Sequence, residues 1–160
     1  MQAYASYTGI VSTLLNQFKA REEKRVATLL APLYLPMLHT IENPLLIPVP
    51  ASRRGYSDRG FDQMLLMCNI LRRDAGYPCL RLFAQKGKGQ SKFLSRSERQ
   101  QRHTLSLLPK DKQVATYQKK GATFVLMDDI CTTGSTLATS RALLLERYGQ
   151  QALALVVALV

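Results

Sequence analysis

Two apolar runs constrain this chain more than any other feature. Thr123–Met127 reads as a continuous apolar strand and Ala152–Val160 as a second, with a helix over Ser135–Tyr148, closed by Gly149, between them. Strands without a polar face must be covered on both sides, and when helices separate them the arrangement that does so is a parallel sheet flanked by helices. The fold class is therefore α/β. With 160 residues, 46% of them hydrophobic, the chain can bury one core of useful size. No repeat, low-complexity tract or linker interrupts it, so residues 1–160 read as a single domain.

The rest of the chain is read around that unit. Leu14, Leu15, Phe18, Val26, Leu29, Leu30, Leu33 and Leu38 recur at helical spacing, with Lys19–Arg25 as a charged interruption. The first forty residues are thus expected to form two helices that pack on the core. Pro44–Pro50 is a short apolar run bounded by prolines, the end of a strand entering a loop over Arg53–Gly60. Phe61 to Leu71 marks a helix ending near Gly76, and Cys79–Phe83 a short strand. Gln85–Lys92 alternates glycine and lysine without an apolar anchor and reads as a loose loop, followed by a short polar helix over Ser95–Arg102.

Chemistry concentrates where the first apolar strand ends. In parallel α/β sheets ligands bind beyond the carboxyl ends of strands, which puts Asp128 and Asp129 at the ligand-bearing edge. Two adjacent carboxylates there can accept charge-assisted hydrogen bonds from neighbouring sugar hydroxyls. Thr132, Thr133, Gly134, Ser135 and Thr136 follow at once, and they offer hydroxyls and approachable N–H groups at a helix N-terminus, where the helix dipole favours a phosphate. Together these residues describe a sugar phosphate. Helix capping alone would account for one or two of them. The sequence contains no GxxxxGK[ST], and Gly87-Lys88-Gly89 lacks the third glycine of GxGxxG.

Phe124 to Thr136 resembles the phosphoribosyl-pyrophosphate motif of type I phosphoribosyltransferases: four apolar residues, two acids, two variable positions and a Thr-Thr-Gly-Ser-Thr loop. A second resemblance narrows this. Pro48-Val49-Pro50, Arg54 and Arg59-Gly60-Phe61-Asp62-Gln63, with Gln90, Leu94 and Arg99, look like the signature of the ComF/GntX family, bacterial phosphoribosyltransferase-like proteins linked to competence and DNA uptake. Asp62 stands where that family usually has asparagine. The resemblance covers about Tyr4 to Val160 and leaves out the cysteine-rich zinc module that usually precedes the domain.

The resemblance implies a protein that binds 5-phosphoribosyl pyrophosphate, with Mg²⁺ carried on the diphosphate. Asp128 and Asp129 would then act at the ribose and Thr132–Thr136 would hold the phosphate. Arg53, Arg54 and Arg59 would clamp the diphosphate, or else form a solvated basic loop. Lys86, Lys88 and Lys92 would lie on a catalytic loop that closes over the ligand, with Lys88 as its catalytic member, or else on a charged linker. Two functions of different class follow: a non-catalytic sensor that engages DNA or a DNA-processing protein through its basic face, and an active phosphoribosyltransferase of unknown acceptor.

Charge bears on the partner. The formal net charge is +11, and between Arg81 and Lys120 there are eleven basic residues against two acidic ones, which favours polyanions, whether a diphosphate ester or a nucleic acid. A purely nucleic-acid-binding module is the weaker alternative, because no helix-turn-helix, zinc-finger or aromatic stacking pattern is present. Cys68, Cys79 and Cys131 are odd in number and form no CxxC pair, and His39 and His103 are isolated, so neither a disulfide framework nor a protein-held metal is expected. No apolar stretch is long enough to span a bilayer and no signal-peptide pattern opens the chain, so a soluble, cytoplasmic protein is expected.

Overall fold

A computed structural model describes residues 1–20, 24–52, 55–57, 60–85 and 105–160. In chain order these form β1 (Gln2–Ser6), α1 (Gly9–Ala20), α2 (Val26–Leu30), a 3₁₀ turn (Ala31–Tyr34), α3 (Leu35–Leu38), β2 (Pro44–Pro48) and α4 (Gln63–Ala75). There follow β3 (Phe83–Gln85), β4 (Leu105–Leu107), α5 (Asp111–Lys119), β5 (Thr123–Cys131), α6 (Ser135–Tyr148) and β6 (Ala152–Leu159). Four strands make one parallel sheet in the order β1-β6-β5-β2, and β3 pairs antiparallel with β4. The protein is α/β, a parallel sheet flanked by helices.

Both apolar runs lie in the middle of this sheet, because only there are both faces covered. Val125 and Met127 of β5, with Leu155 and Val157 of β6, face a core that includes Leu15, Phe18, Leu30, Tyr34 and Met67 from the helices of the N-terminal half. Phe124 and Leu126, with Ala154 and Val156, face a second core with Leu45, Ile47, Phe83, Val114, Leu137 and Leu144. Each fully buried side chain of this kind contributes roughly 1.5–3 kcal/mol, so the register is strongly fixed. A slip by one residue would exchange the two faces and draw the acids after Met127 toward the interior.

Several local expectations are corrected. The first forty residues do not form two helices alone. Residues 2–6 are an edge strand whose exposure alternates, and Ala3 and Ala5 give it little apolar signal, so pairing with β6 rather than local pattern makes it a strand. Pro32 and Pro36 then sit at the starts of the 3₁₀ turn and of α3, where a missing N–H costs nothing, and they divide the second helix into three short pieces. The strand expected over Cys79–Phe83 lies later, at Phe83–Gln85. Before it, Cys79 makes a single parallel bridge to Leu46, and the chain accepts from Leu46 N at Pro78 O (2.8 Å) and returns Leu80 N to Leu46 O (2.9 Å). Pro78 has no N–H with which to extend that ladder. The strand β4 and helix α5 carry no motif that announces them. Most of the expected loose loop over Gln85–Lys92, and all of the expected polar helix over Ser95–Arg102, lie outside the described residues.

The 3₁₀ turn delivers Tyr34 to the seam between β5 and β6. The register runs from Phe124↔Ala152 to Asp128↔Val156 and resumes at Ile130↔Ala158. At that step the fully buried Tyr34 hydroxyl donates to the Asp128 carbonyl and takes a backbone hydrogen bond at Val157. It serves as a polar bridge in an otherwise apolar core. Burial, with the charges of Asp129 and Asp128 nearby, holds its phenol well above the usual range, so it remains a donor at physiological pH. Tyr34→Phe leaves these backbone groups short of a partner and is expected to lower stability by about 1–3 kcal/mol. Urea unfolding checks this, the expected result being a lower midpoint at unchanged slope.

Candidate functional site

At the carboxyl end of β5 the apolar pattern stops and the strand turns polar. Asp128 is half-buried and Asp129 buried. Each carboxylate engages the next peptide: Asp129 N–H donates to Asp128 Oδ1 (2.9 Å), and Ile130 N–H donates to Asp129 Oδ1 (2.7 Å). The two acids then part. Asp128 lines an open concavity together with Ile130 and the run Cys131–Leu137. Asp129 instead turns its Oδ2 to Lys19 Nζ at 3.0 Å. Burial pushes the Asp128 carboxyl up to about 7; the Asp129 charge adds to the rise, while the Asp129 N–H and the Lys19 ammonium oppose it.

The opposite wall of the concavity is the turn into α6. Thr132, Thr133, Ser135 and Thr136 are all exposed, so four hydroxyls border the space. Thr133 Oγ1 donates to Ser135 Oγ (3.1 Å) and accepts weakly from Ser135 N (3.4 Å). Gly134 occupies the cap position with φ of 72°, a conformation that a side chain disfavours. A Cβ there would meet only Cys131 Sγ at 3.7 Å, an ordinary contact, so backbone conformation rather than space selects glycine. Because the cap residue carries no side chain, first-turn N–H groups of a fourteen-residue helix are available to an anion. Cys131 is buried in the second core and its thiol packs beneath the loop, as a small structural residue does.

The segment after β2 sets the N-terminal helices against this edge. Val49 N–H donates to Met127 O (3.0 Å), which keeps the chain on β5 to the point where the acids begin. Gly60 turns the chain at φ of 71°, with its N–H on Tyr56 O (2.8 Å). Phe61 packs its ring 5.9 Å from that of Phe18, and Lys24 Nζ lies 5.5 Å from the Phe61 centroid. Asp62 caps α4 by accepting from Leu65 N (3.0 Å), a task an asparagine oxygen does equally well, so its departure from asparagine is physically neutral. Buried Gln63 donates to the Phe18 carbonyl at 3.0 Å. Phe61, Asp62 and Gln63 are therefore framework residues.

Of the residues singled out in the sequence, Asp128, Thr132, Thr133, Gly134, Ser135 and Thr136 line one concavity, and Asp129 stands behind it. Arg53, Arg54, Arg59 and Lys88 lie outside the described residues. Two polar residues at this edge escaped the sequence reading. Lys19 falls in a charged run between two helical patterns, and Tyr34 lies between Pro32 and Pro36; neither position carries a signal that distinguishes it from an ordinary helix surface or core aromatic.

No protein-family model matches the chain. Among known proteins it is similar to the competence protein ComFC of Bacillus subtilis (strain 168), at 26% identity over 145 residues, which cover 89% of this chain and 56% of that protein. The chain thus spans about half the length of the curated relative it matches. The similarity to that competence protein runs along most of this chain, which folds as a parallel α/β sheet whose post-β2 segment is organised by Gly60, Phe61, Asp62 and Gln63.

Proposed function

We propose that this chain is a competence-related protein of ComF type that binds 5-phosphoribosyl 1-pyrophosphate at the carboxyl end of β5. The observation that carries the reading is that Asp128 and the hydroxyl-rich turn opening α6 line the same concavity. A phosphate fits the turn, where N–H groups, hydroxyls and the positive end of the helix dipole converge. A ribose carried by that phosphate would bring its hydroxyls toward Asp128, an acceptor of charge-assisted hydrogen bonds once ionised. Mg²⁺ enters this reading as part of the ligand, on the diphosphate oxygens, where it offsets their charge. A transferase would break the bond from the anomeric carbon to the diphosphate as the acceptor's bond forms, with positive charge growing on the ribose near the acids. Release of diphosphate across a set of nucleobases distinguishes that activity from binding alone.

Calorimetric titration with the magnesium complex tests the site. Asp128→Asn is expected to weaken binding by about 1.5–3 kcal/mol, the range of one hydrogen bond to a charged group, and an unchanged affinity ends the reading.

The same residue predicts a pH profile. A carboxyl with a folded pKa of about 7, against about 3.9 in an unfolded chain, binds its proton more tightly when folded. Stability relative to Asp128→Asn should therefore fall as pH rises from about 4 to about 7, and ligand affinity relative to that variant should rise through the upper end of the window as the carboxylate forms. Urea unfolding and titrations at several pH values read both. Parallel profiles for the two proteins would refute the assignment.

A second reading has its own observation, the net charge of +11 and its concentration between Arg81 and Lys120. Direct contact with DNA phosphates predicts weak, sequence-independent binding whose affinity falls linearly on logarithmic axes with salt. No detectable binding to a random duplex near ~50 mM salt, where such association is strong, removes the direct DNA role.

A further inference from the structure

The ion pair between Lys19 and Asp129 ties the N-terminal helices to the ligand edge, and the surroundings of each partner show how it is held. Lys19 lies in the last turn of α1, directly after a residue that is fixed twice. The Phe18 ring is fully buried near Phe61, and its carbonyl accepts from buried Gln63 at 3.0 Å. Backbone so anchored gives Lys19 a defined origin, and its Nζ reaches Asp129 Oδ2 at 3.0 Å. The lysine side chain is 36% exposed and the aspartate side chain 11%, so the carboxylate depends on its partner far more than the ammonium does. With Oδ1 engaged by Ile130 N–H, both Asp129 oxygens are occupied by the protein, and Asp128 is the acid that reaches the concavity.

We propose that Lys19 is a positioning residue of the site: by pairing with Asp129 it turns that carboxylate away from the concavity and presents Asp128 to the ligand. Two carboxylates on consecutive residues repel, and a cation placed on the outer side of one separates their roles. Without it, the two carboxylates would compete for the same space. The inference rests on the ligand reading above, since it concerns which acid that ligand meets.

The test compares Lys19→Met, Lys19→Arg, Asp129→Asn and the double variant Lys19→Met with Asp129→Asn, each titrated with 5-phosphoribosyl 1-pyrophosphate and Mg²⁺. Lys19→Met should weaken binding about tenfold, on the scale of one broken charge pair, while Lys19→Arg retains most of the affinity. The double variant should bind within about threefold of Asp129→Asn alone, because no uncompensated carboxylate remains for the lysine to control. A double variant still as weak as the sum of both single losses would mean that Lys19 touches the anionic ligand directly, which overturns the proposal. Should Lys19→Met fold poorly, the double variant and Lys19→Arg carry the comparison, since neither leaves a buried charge alone.

A ligand-free readout separates this inference from the ligand assignment. The Asp129 carboxyl carbon resonance should move on Lys19→Met and stay in place on Lys112→Met, a control substitution at an exposed lysine of α5. A resonance indifferent to Lys19 refutes the pairing. Failure of the unaltered protein to bind the probe refutes the ligand reading, and an Asp129 signal that still answers to Lys19 distinguishes that result from failure of the pairing.

Discussion

Burial of β5 on both faces is the constraint on which the rest of the molecule depends. Phe124, Val125, Leu126 and Met127 are fully buried, two in each core, and this requires helices on both sides of the strand and a strand on either edge. The helices of the N-terminal half cover one face; α5, α6 and the strands β3 and β4 supply the other. Polar residues can enter such a strand only where the cover ends. Asp128 and Asp129 stand at that point, so the core that fixes the register also fixes the site.

A second dependency runs through the segment after β2. In the sequence, Arg59-Gly60-Phe61-Asp62-Gln63 carries part of the resemblance to the ComF/GntX family, and only Arg59 among these residues is read as a ligand contact. For the three residues from Phe61 to Gln63 the structure supplies the roles: an aromatic contact, a helix cap and a buried amide that holds the end of α1. These interactions set the angle at which α1 meets the sheet and thereby aim Lys19 at Asp129. A signature motif can thus be tied to a site through the framework that orients it.

Legibility followed the range of the forces involved. Thr123–Met127, Ser135–Tyr148 and Gly149 were readable because strand burial, helix periodicity and a glycine at a left-handed cap are local signals. The turn after β5 was equally readable, since its chemistry is contiguous. Residues 2–6 were not, because Ala3 and Ala5 acquire their strand state from β6, some 150 positions later in the chain. Tyr34 and Lys19 were invisible as site neighbours for the same reason: each meets β5 across roughly a hundred residues, and nothing in their own neighbourhood encodes that meeting. The displaced strand at Phe83–Gln85 shows a third limit. Cys79 and Leu80 have strand-like composition, but Pro78 deprives the ladder of a donor, and the pairing partner that appears first lies at Leu105–Leu107.

The electrostatics of the acid pair argue that it is kept for a purpose other than folding. Burial raises the Asp128 carboxyl to about 7, and the adjoining Asp129 charge pushes in the same direction. A group whose folded pKa lies above its unfolded value costs stability once the solution passes that unfolded value, so at neutral pH an apolar or amide residue at position 128 would suit the fold better. Asp129 is tolerated only because Lys19 and the Ile130 N–H occupy its oxygens. The lysine in turn requires Phe18, Phe61 and Gln63 to hold α1 in place. A cost at one carboxylate, offset by a cation that three further residues position, is the pattern expected where a strand end is shaped for a ligand rather than for the core beneath it.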